Sequence, residues 1–158
     1  MIRRVRESDV DAVVQLVHDL AEYERALQEC HLTAEQLRTA LFGPSPALFG
    51  HVAEAADGEI VGMSLWFLSF STWTGTHGLY LEDLFVKPEH RGGGHGRELF
   101  LALAKESADR GLGRFEWSVL DWNQPAIDFY EAMGATQVKD WHRYRLADEA
   151  LAKAAARA

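Results

Sequence analysis

Between residues 79 and 97 an apolar, strand-like run meets a charged break and then Arg91-Gly92-Gly93-Gly94-His95-Gly96-Arg97, which opens an amphipathic helix pattern. Few successions constrain a chain more, because a strand, a tight loop and a helix in this order imply a sheet with a helix packed on it. Glycines without Cβ let backbone N–H groups turn inward together. The helix that follows adds its own unsatisfied N-terminal donors and positive dipole end. The segment is expected to hold an anionic group, in particular a pyrophosphate; the competing reading is a flexible glycine-rich turn.

The letters exclude two familiar phosphate loops. A dinucleotide fingerprint, Gly-x-Gly-x-x-Gly, fails at Arg97 when counted from Gly92 and at Leu99 when counted from Gly94. A Walker loop needs a lysine after its last glycine, and none lies between Lys87 and Lys105. What remains is Arg-x-x-Gly-x-Gly at Arg91, Gly94 and Gly96. This pattern resembles the coenzyme A pyrophosphate loop of the GNAT N-acyltransferase superfamily.

At 158 residues with 47% hydrophobic content, the chain can fill one core and is short for two. A net charge of −8 argues against nucleic acid as a partner and favours small cations such as amines. The one cysteine, Cys30, fits a reducing compartment, and no apolar run approaches the ~20 residues of a membrane span. A cytoplasmic protein without a membrane partner is expected. Met1 to Arg6 passes directly into strand-like alternation, so nothing there reads as a targeting segment.

The pattern predicts a strand at Ile2 to Arg6 and a helix starting near Ser8 and Asp11, with Val10, Val13, Val14, Val17, Leu20 and Ala21 on one face. Thr33 with Gln36 starts a second helix, which Gly43, Pro44 and Pro46 end. Leu48 to Ala55 and Ile60 to Phe70 read as an antiparallel hairpin about Asp57-Gly58. After the loop at residues 71–78 come a strand from Leu79 to Val86, the glycine loop, and a helix from about Gly96 to Arg110 that stops at Gly111. Phe115 to Leu120 is a further strand. Asn123 and Pro125 mark the first turn of a helix ending before Gly134, and Trp141 to Leu146 is a final strand. The expected architecture is α/β: a mixed, mostly antiparallel central sheet with helices on both faces. A single domain covers 1–147, and 148–158 is a short helical or frayed tail. The order of elements also matches a GNAT domain.

Acetyl transfer from a thioester to an amine requires deprotonating the amine, stabilising an oxyanion and neutralising a thiolate. An alkylamine with a pKa near ~10.4 is almost wholly protonated at neutral pH, so a carboxylate, or water bound to one, must help. Glu82 is the first candidate, in Leu81-Glu82-Asp83-Leu84, where two acids interrupt an apolar strand and are costly to bury without purpose. In a regular strand the two face opposite sides, so only one meets a substrate unless the strand bulges. The alternative is a structural pair, a reading that weighs more for Asp83. Backbone N–H groups of Leu84, Phe85 and Val86 would bind the pantetheine chain and thioester oxygen if this strand splays from its neighbour. Tyr130 lies seven residues beyond Asn123, two turns along the helix, where its phenol would act as general acid toward the sulfur. Phe129 reads as a core aromatic.

Taken together, Tyr80-Leu81-Glu82-Asp83, the Arg91 to Gly96 loop, Leu120-Asp121-Trp122-Asn123-Gln124 and Phe129-Tyr130 resemble the diamine acetyltransferase branch of the GNAT superfamily. That branch holds the spermidine/spermine and thialysine acetyltransferases. Leu20-Ala21-Glu22-Tyr23-Glu24 and Ser71-Thr72-Trp73 extend the likeness from Arg3 to about Leu146. The resemblance implies that Glu82 and Tyr130 are catalytic. It implies that acetyl-CoA is held by Leu84, Phe85, Val86, Arg91, Gly92, Gly93, Gly94, His95, Gly96, Arg97, Asn123, Pro125, Ala126 and Tyr130. The acceptor would meet Tyr23, Glu24, Trp73, Glu82 and Asp140. Polyamine enzymes resemble Asp-Pro-Trp where this chain has Ser71-Thr72-Trp73, so the likeness leans to the thialysine side and a lysine-like amine. Trp73 would supply a cation–π wall or pack on a partner subunit. A homodimer is implied.

The seven histidines form no ligand pair, since His90 and His95 are five apart across the loop, so no metal is expected. Cys30 lacks the neighbours of a nucleophile, and direct transfer needs none. Two other functions stay open at this point: a non-catalytic acyl-CoA-binding regulatory module, against which Glu82 and Tyr130 argue, and a protein or peptide N-acetyltransferase.

Overall fold

The structure, a computed structural model, describes residues 1–158. They form two compact units, Met1–Ser118 and Val119–Ala158. The first unit is built on a five-stranded sheet in the order β1 (Ile2–Arg4), β2 (Phe49–Glu54), β3 (Ile60–Ser71), β4 (Thr76–Val86) and β5 (Phe115–Trp117). The first three pairings are antiparallel, and β4 with β5 is parallel, so the sheet is mixed as its pattern implied.

One face carries α1 (Val10–Tyr23) and α2 (Ala34–Phe42). Val10, Val13 and Leu16 recur at helical spacing and are fully buried with Leu37, Val52, Met63, Leu65 and Phe85. Each such side chain contributes roughly 2 kcal/mol of burial free energy. The other face carries α3 (His95–Asp109), whose Leu99 and Leu103 pack on Val61, Val86, Trp66, Leu79 and Leu81. Thr33 and Gln36 form the expected capping box of α2. The start of α1 differs from expectation. A 3₁₀ turn at Glu7–Asp9 precedes it, and Asp9, not Ser8 with Asp11, accepts from the Arg6 backbone N–H at 2.7 Å. Asp9 is also gripped by both terminal nitrogens of Arg3, at 2.6 and 3.0 Å, while Arg3 Nε reaches Glu54, tying β1, α1 and β2 together.

Two strand expectations are corrected. The strand expected over Phe115 to Leu120 stops at Trp117, where its ladder to β4 ends at Leu81. The final strand expected at Trp141 to Leu146 is not a regular element. A lone strand has no ladder to stabilise it, and this segment leaves Trp141, Tyr144 and Leu146 exposed. The second unit instead holds α4 (Gln124–Ala132) and α5 (Asp148–Ala155). No helix of the chain is long and apolar enough to cross a membrane.

In the α3-side core, Trp66 Nε1 donates to His51 Nδ1 at 3.3 Å. Burial, reinforced by the positive charge of Arg4, pushes the His51 ring down to about 4. The unfolded ring takes up a proton near pH 6.5, whereas the folded one stays neutral until about 4. Its contribution is therefore complete above about pH 6.5 and is lost as pH falls toward 4, amounting to roughly 3 kcal/mol. His51→Gln offers Trp66 an acceptor that does not titrate. Denaturant melts of both proteins from pH 7.5 to 4.5 should show the parent losing ground to the variant as pH falls; a difference that does not change with pH would refute this account.

Candidate active site

The middle of β4 is where the regular pattern breaks. Leu81 pairs with Trp66 and Asp83 with Leu65, so Glu82 is an extra residue, a β-bulge. A bulge places its two residues on the same side as the single residue opposite. Leu65 belongs to the α1-side core, so Glu82 and Asp83 are both turned toward α1. The sequence left this possibility open, and the structure realises it. A signal was present in the letters: the buried apolar positions facing α3 switch from odd (Leu79, Leu81) to even (Leu84, Val86) across the two acids.

α1 ends beside this bulge. Glu24 is its C-cap residue, and Arg25 follows in the left-handed region at φ 61°. Burial first, and then the negative charges of Glu82 and Glu24, together raise the Asp83 carboxyl to about 7. Burial also raises Glu24 above the ordinary carboxylate range. Glu82 itself is exposed. Three carboxyls thus converge, one of them poised to titrate near neutrality. Such a group is a strong candidate for handling a cation or its proton. The sequence favours a structural part for Asp83; its raised pKa makes it a candidate beside Glu82.

Beyond the bulge, β4 is on its own on one side. The ladder to β5 covers Leu79, Tyr80 and Leu81 and then stops, leaving Leu84 to Val86 without a strand partner on that side. The glycine loop follows directly. Gly92 and Gly94 adopt φ of 81° and 87°, which L side chains rarely tolerate, and a Cβ at either would point into open space. Gly94 is the N-cap of α3, and no side chain caps that helix end. His95 Nδ1 is buried without a hydrogen-bond partner. An uncapped 15-residue helix, an open glycine mouth and an orphaned ring nitrogen fit an anionic group at this position. Gly93 lies in the bend before α3, and Gly96 and Arg97 lie in its first turn. Arg91 is engaged on the protein side: its Nε donates to the Val86 carbonyl at 3.0 Å, and its guanidinium lies over the Tyr23 ring at 4.9 Å and the Phe85 ring at 5.3 Å.

In the second unit, the Asn123 side chain accepts from the Ala126 N–H at 3.4 Å, capping α4, with Pro125 in the first turn. Tyr130 is half-buried two turns along, its ring 5.2 Å from that of Phe129. Asp140 lies exposed in the irregular segment before α5. Trp73 is not brought to the acids of its own chain. It caps the far end of the β3–β4 hairpin, beyond the Ser71 to Thr76 pair, about 20 Å along the strands from Asp83 at 3.4 Å per residue, and it is 84% exposed.

Residues 13–135 match the acetyltransferase (GNAT) family. The chain is similar to a thialysine N-epsilon-acetyltransferase of Bos taurus, 39% identical over 96% of this chain and 94% of the relative. It is also similar to the L-ornithine N5-acetyltransferase NATA1 of Arabidopsis thaliana, 29% identical over 95% and 85% of the two chains. Among solved structures, an integron cassette protein from the mobile metagenome of V. cholerae shares the fold, with a TM-score of 0.81 and 24% identity over 98% of this chain and 96% of that one. The chain is a member of the GNAT acetyltransferase family, in its diamine acetyltransferase branch.

Proposed function

We propose that this protein transfers the acetyl group of acetyl-CoA to the side-chain amine of a small, lysine-like acceptor, by direct attack. The observation that carries the acceptor class is the convergence of Glu24, Glu82 and Asp83 at the β4 bulge, beside the stretch where β4 parts from β5. A cluster of negative charge attracts an ammonium, and one carboxyl near 7 suits it for removing the proton that blocks attack. When bound, acetyl-CoA supplies an acetyl group activated as a thioester. Leu84, Phe85 and Val86 lie along the stretch of β4 that has no ladder to β5, and this edge faces its pantetheine arm. The loop from Arg91 to Arg97 and the α3 N-terminus hold its pyrophosphate, and the resemblance adds Asn123, Pro125 and Ala126 as further contacts of the coenzyme. Glu82, with Asp83 beside it, takes the amine proton as the N–C bond forms. Tyr130 gives its phenolic proton to the departing sulfur as the C–S bond breaks.

Support for a lysine-like acceptor comes from two sides. The relatives just described are named for acetylating the side-chain nitrogen of thialysine and of ornithine. In addition, Ser71 replaces the acid that the polyamine enzymes resemble at this position. A homodimer completes the proposal: exposed Trp73 would serve a partner's acceptor site or the interface. The single Cys30 and the acidic surface fit a cytoplasmic enzyme that binds neither nucleic acid nor membrane.

The test is amine-dependent release of the CoA thiol by purified protein with thialysine, lysine, ornithine, diamines, spermidine and aminoglycosides. Thialysine, lysine or ornithine should exceed spermidine in kcat/KM by about tenfold or more, a difference worth ~1.4 kcal/mol in the transition state. Tight CoA binding with no turnover on any of these amines would sink the enzymatic reading.

A further inference from the structure

In the first unit, Arg91 occupies an unusual place for a phosphate-loop cation. Its Nε is spent on the Val86 carbonyl at 3.0 Å, and its guanidinium lies over Phe85 of β4 and Tyr23 of α1. Tyr23 is the last residue of α1, and the next two residues are the acid-cluster member Glu24 and the left-handed Arg25. No glycine stands where the chain leaves the helix, so Arg25 itself carries the cost of the left-handed conformation. Three backbone bonds close that turn: Glu24 N–H to Leu20, Arg25 N–H to Glu22 and Ala26 N–H to Ala21, at 2.9, 3.0 and 2.9 Å. One side chain therefore touches the strand carrying the thioester backbone, the loop proposed for the pyrophosphate, and the helix end proposed for the acceptor.

We propose that Arg91 is a positioning residue that clamps the end of α1 to the glycine loop, so that filling the loop tightens the acceptor side. The coupling rests on the function proposed above; the clamp itself does not. A lysine at this position keeps a point charge for phosphate but lacks the planar group that stacks on rings and the Nε donor. Arg91→Lys therefore separates the two roles.

In the free protein, hydrogen exchange of the Glu24, Arg25 and Ala26 amides should be about fivefold or more faster in Arg91→Lys than in the parent, with the α3 amides from Leu99 to Ser107 unchanged. Tyr23→Leu should reproduce that loss, Tyr23→Phe should restore parental exchange, and Arg91→Lys/Tyr23→Leu should add nothing to either single change. With CoA bound, the three amides should slow further in the parent and not in Arg91→Lys. In turnover, KM for the amine should rise at least about fivefold more than KM for acetyl-CoA. Equal exchange in the free proteins overturns the clamp. A rise confined to KM for acetyl-CoA returns Arg91 to a phosphate ligand and also overturns it. CoA that fails to bind the parent overturns the donor site and the coupling, while the free-protein comparison still decides the clamp.

Discussion

Tyr130→Phe is expected to lower kcat by about a hundredfold or more while changing the Kd of acetyl-CoA by less than about threefold. The change removes one oxygen and leaves the ring, so the packing of Tyr130 against Phe129 and the cap of α4 by Asn123 persist. What disappears is a proton donor for the leaving sulfur, a group made useful only as the C–S bond breaks. A loss of that kind appears in kcat and kcat/KM together and not in ground-state binding. Initial rates by thiol release, with CoA binding followed by calorimetry, separate the two quantities. A variant with parental kcat would take the acid role away from Tyr130.

Asp83→Asn should change both the size and the pH dependence of the reaction. Asp83 half-ionises at about 7, so below that pH the cluster loses a negative charge and holds an ammonium less well. kcat/KM for the amine should therefore fall as pH drops through about 7 in the parent, and that limb should vanish in Asp83→Asn. At pH 8 the variant should be slower by about tenfold to a hundredfold, the worth of one charge-assisted hydrogen bond. Stability should move in the opposite direction. A carboxyl whose folded pKa is raised penalises the folded state increasingly as pH climbs from its unfolded value near 4 to about 7, and fully above. Asp83→Asn should accordingly melt higher than the parent at pH 8 and no higher at pH 4. A lower Tm at pH 8 with an unchanged rate profile would make Asp83 a structural acid, the alternative its sequence context allowed.

Much of the fold was legible because local and global signals agree. The valines and leucines of α1 lie at helical spacing, Thr33 with Gln36 writes a capping box, and Asp57-Gly58 joins two apolar runs as a hairpin. The loop at Arg91 to Arg97 was legible for the same reason, since few functions need so many glycines before a helix. Legibility failed where an element depends on its neighbour. The length of β5 is set by where β4 leaves it, and the residues from Trp141 to Leu146 carry strand-like letters with no ladder. Arg91 was readable as a cation near a phosphate. Its place over Tyr23 was not, because 68 residues of sequence separate the two and only the tertiary fold brings them together.

The bulge at Glu82 also makes the length of β4 matter as much as its composition. Side chains along a strand alternate faces, and the extra residue is what lets Leu81 and Leu84 face the same core while both acids face the other way. Exchanging one of these acids for another side chain alters a single group. Removing one of the acids would erase the bulge: Leu81 and Leu84 would stand two apart in a regular strand and still face the same core, and only one carboxyl would remain on the other face. The extra residue therefore serves the site and not the core: the strand could lose it and keep its packing, but not its pair of acids.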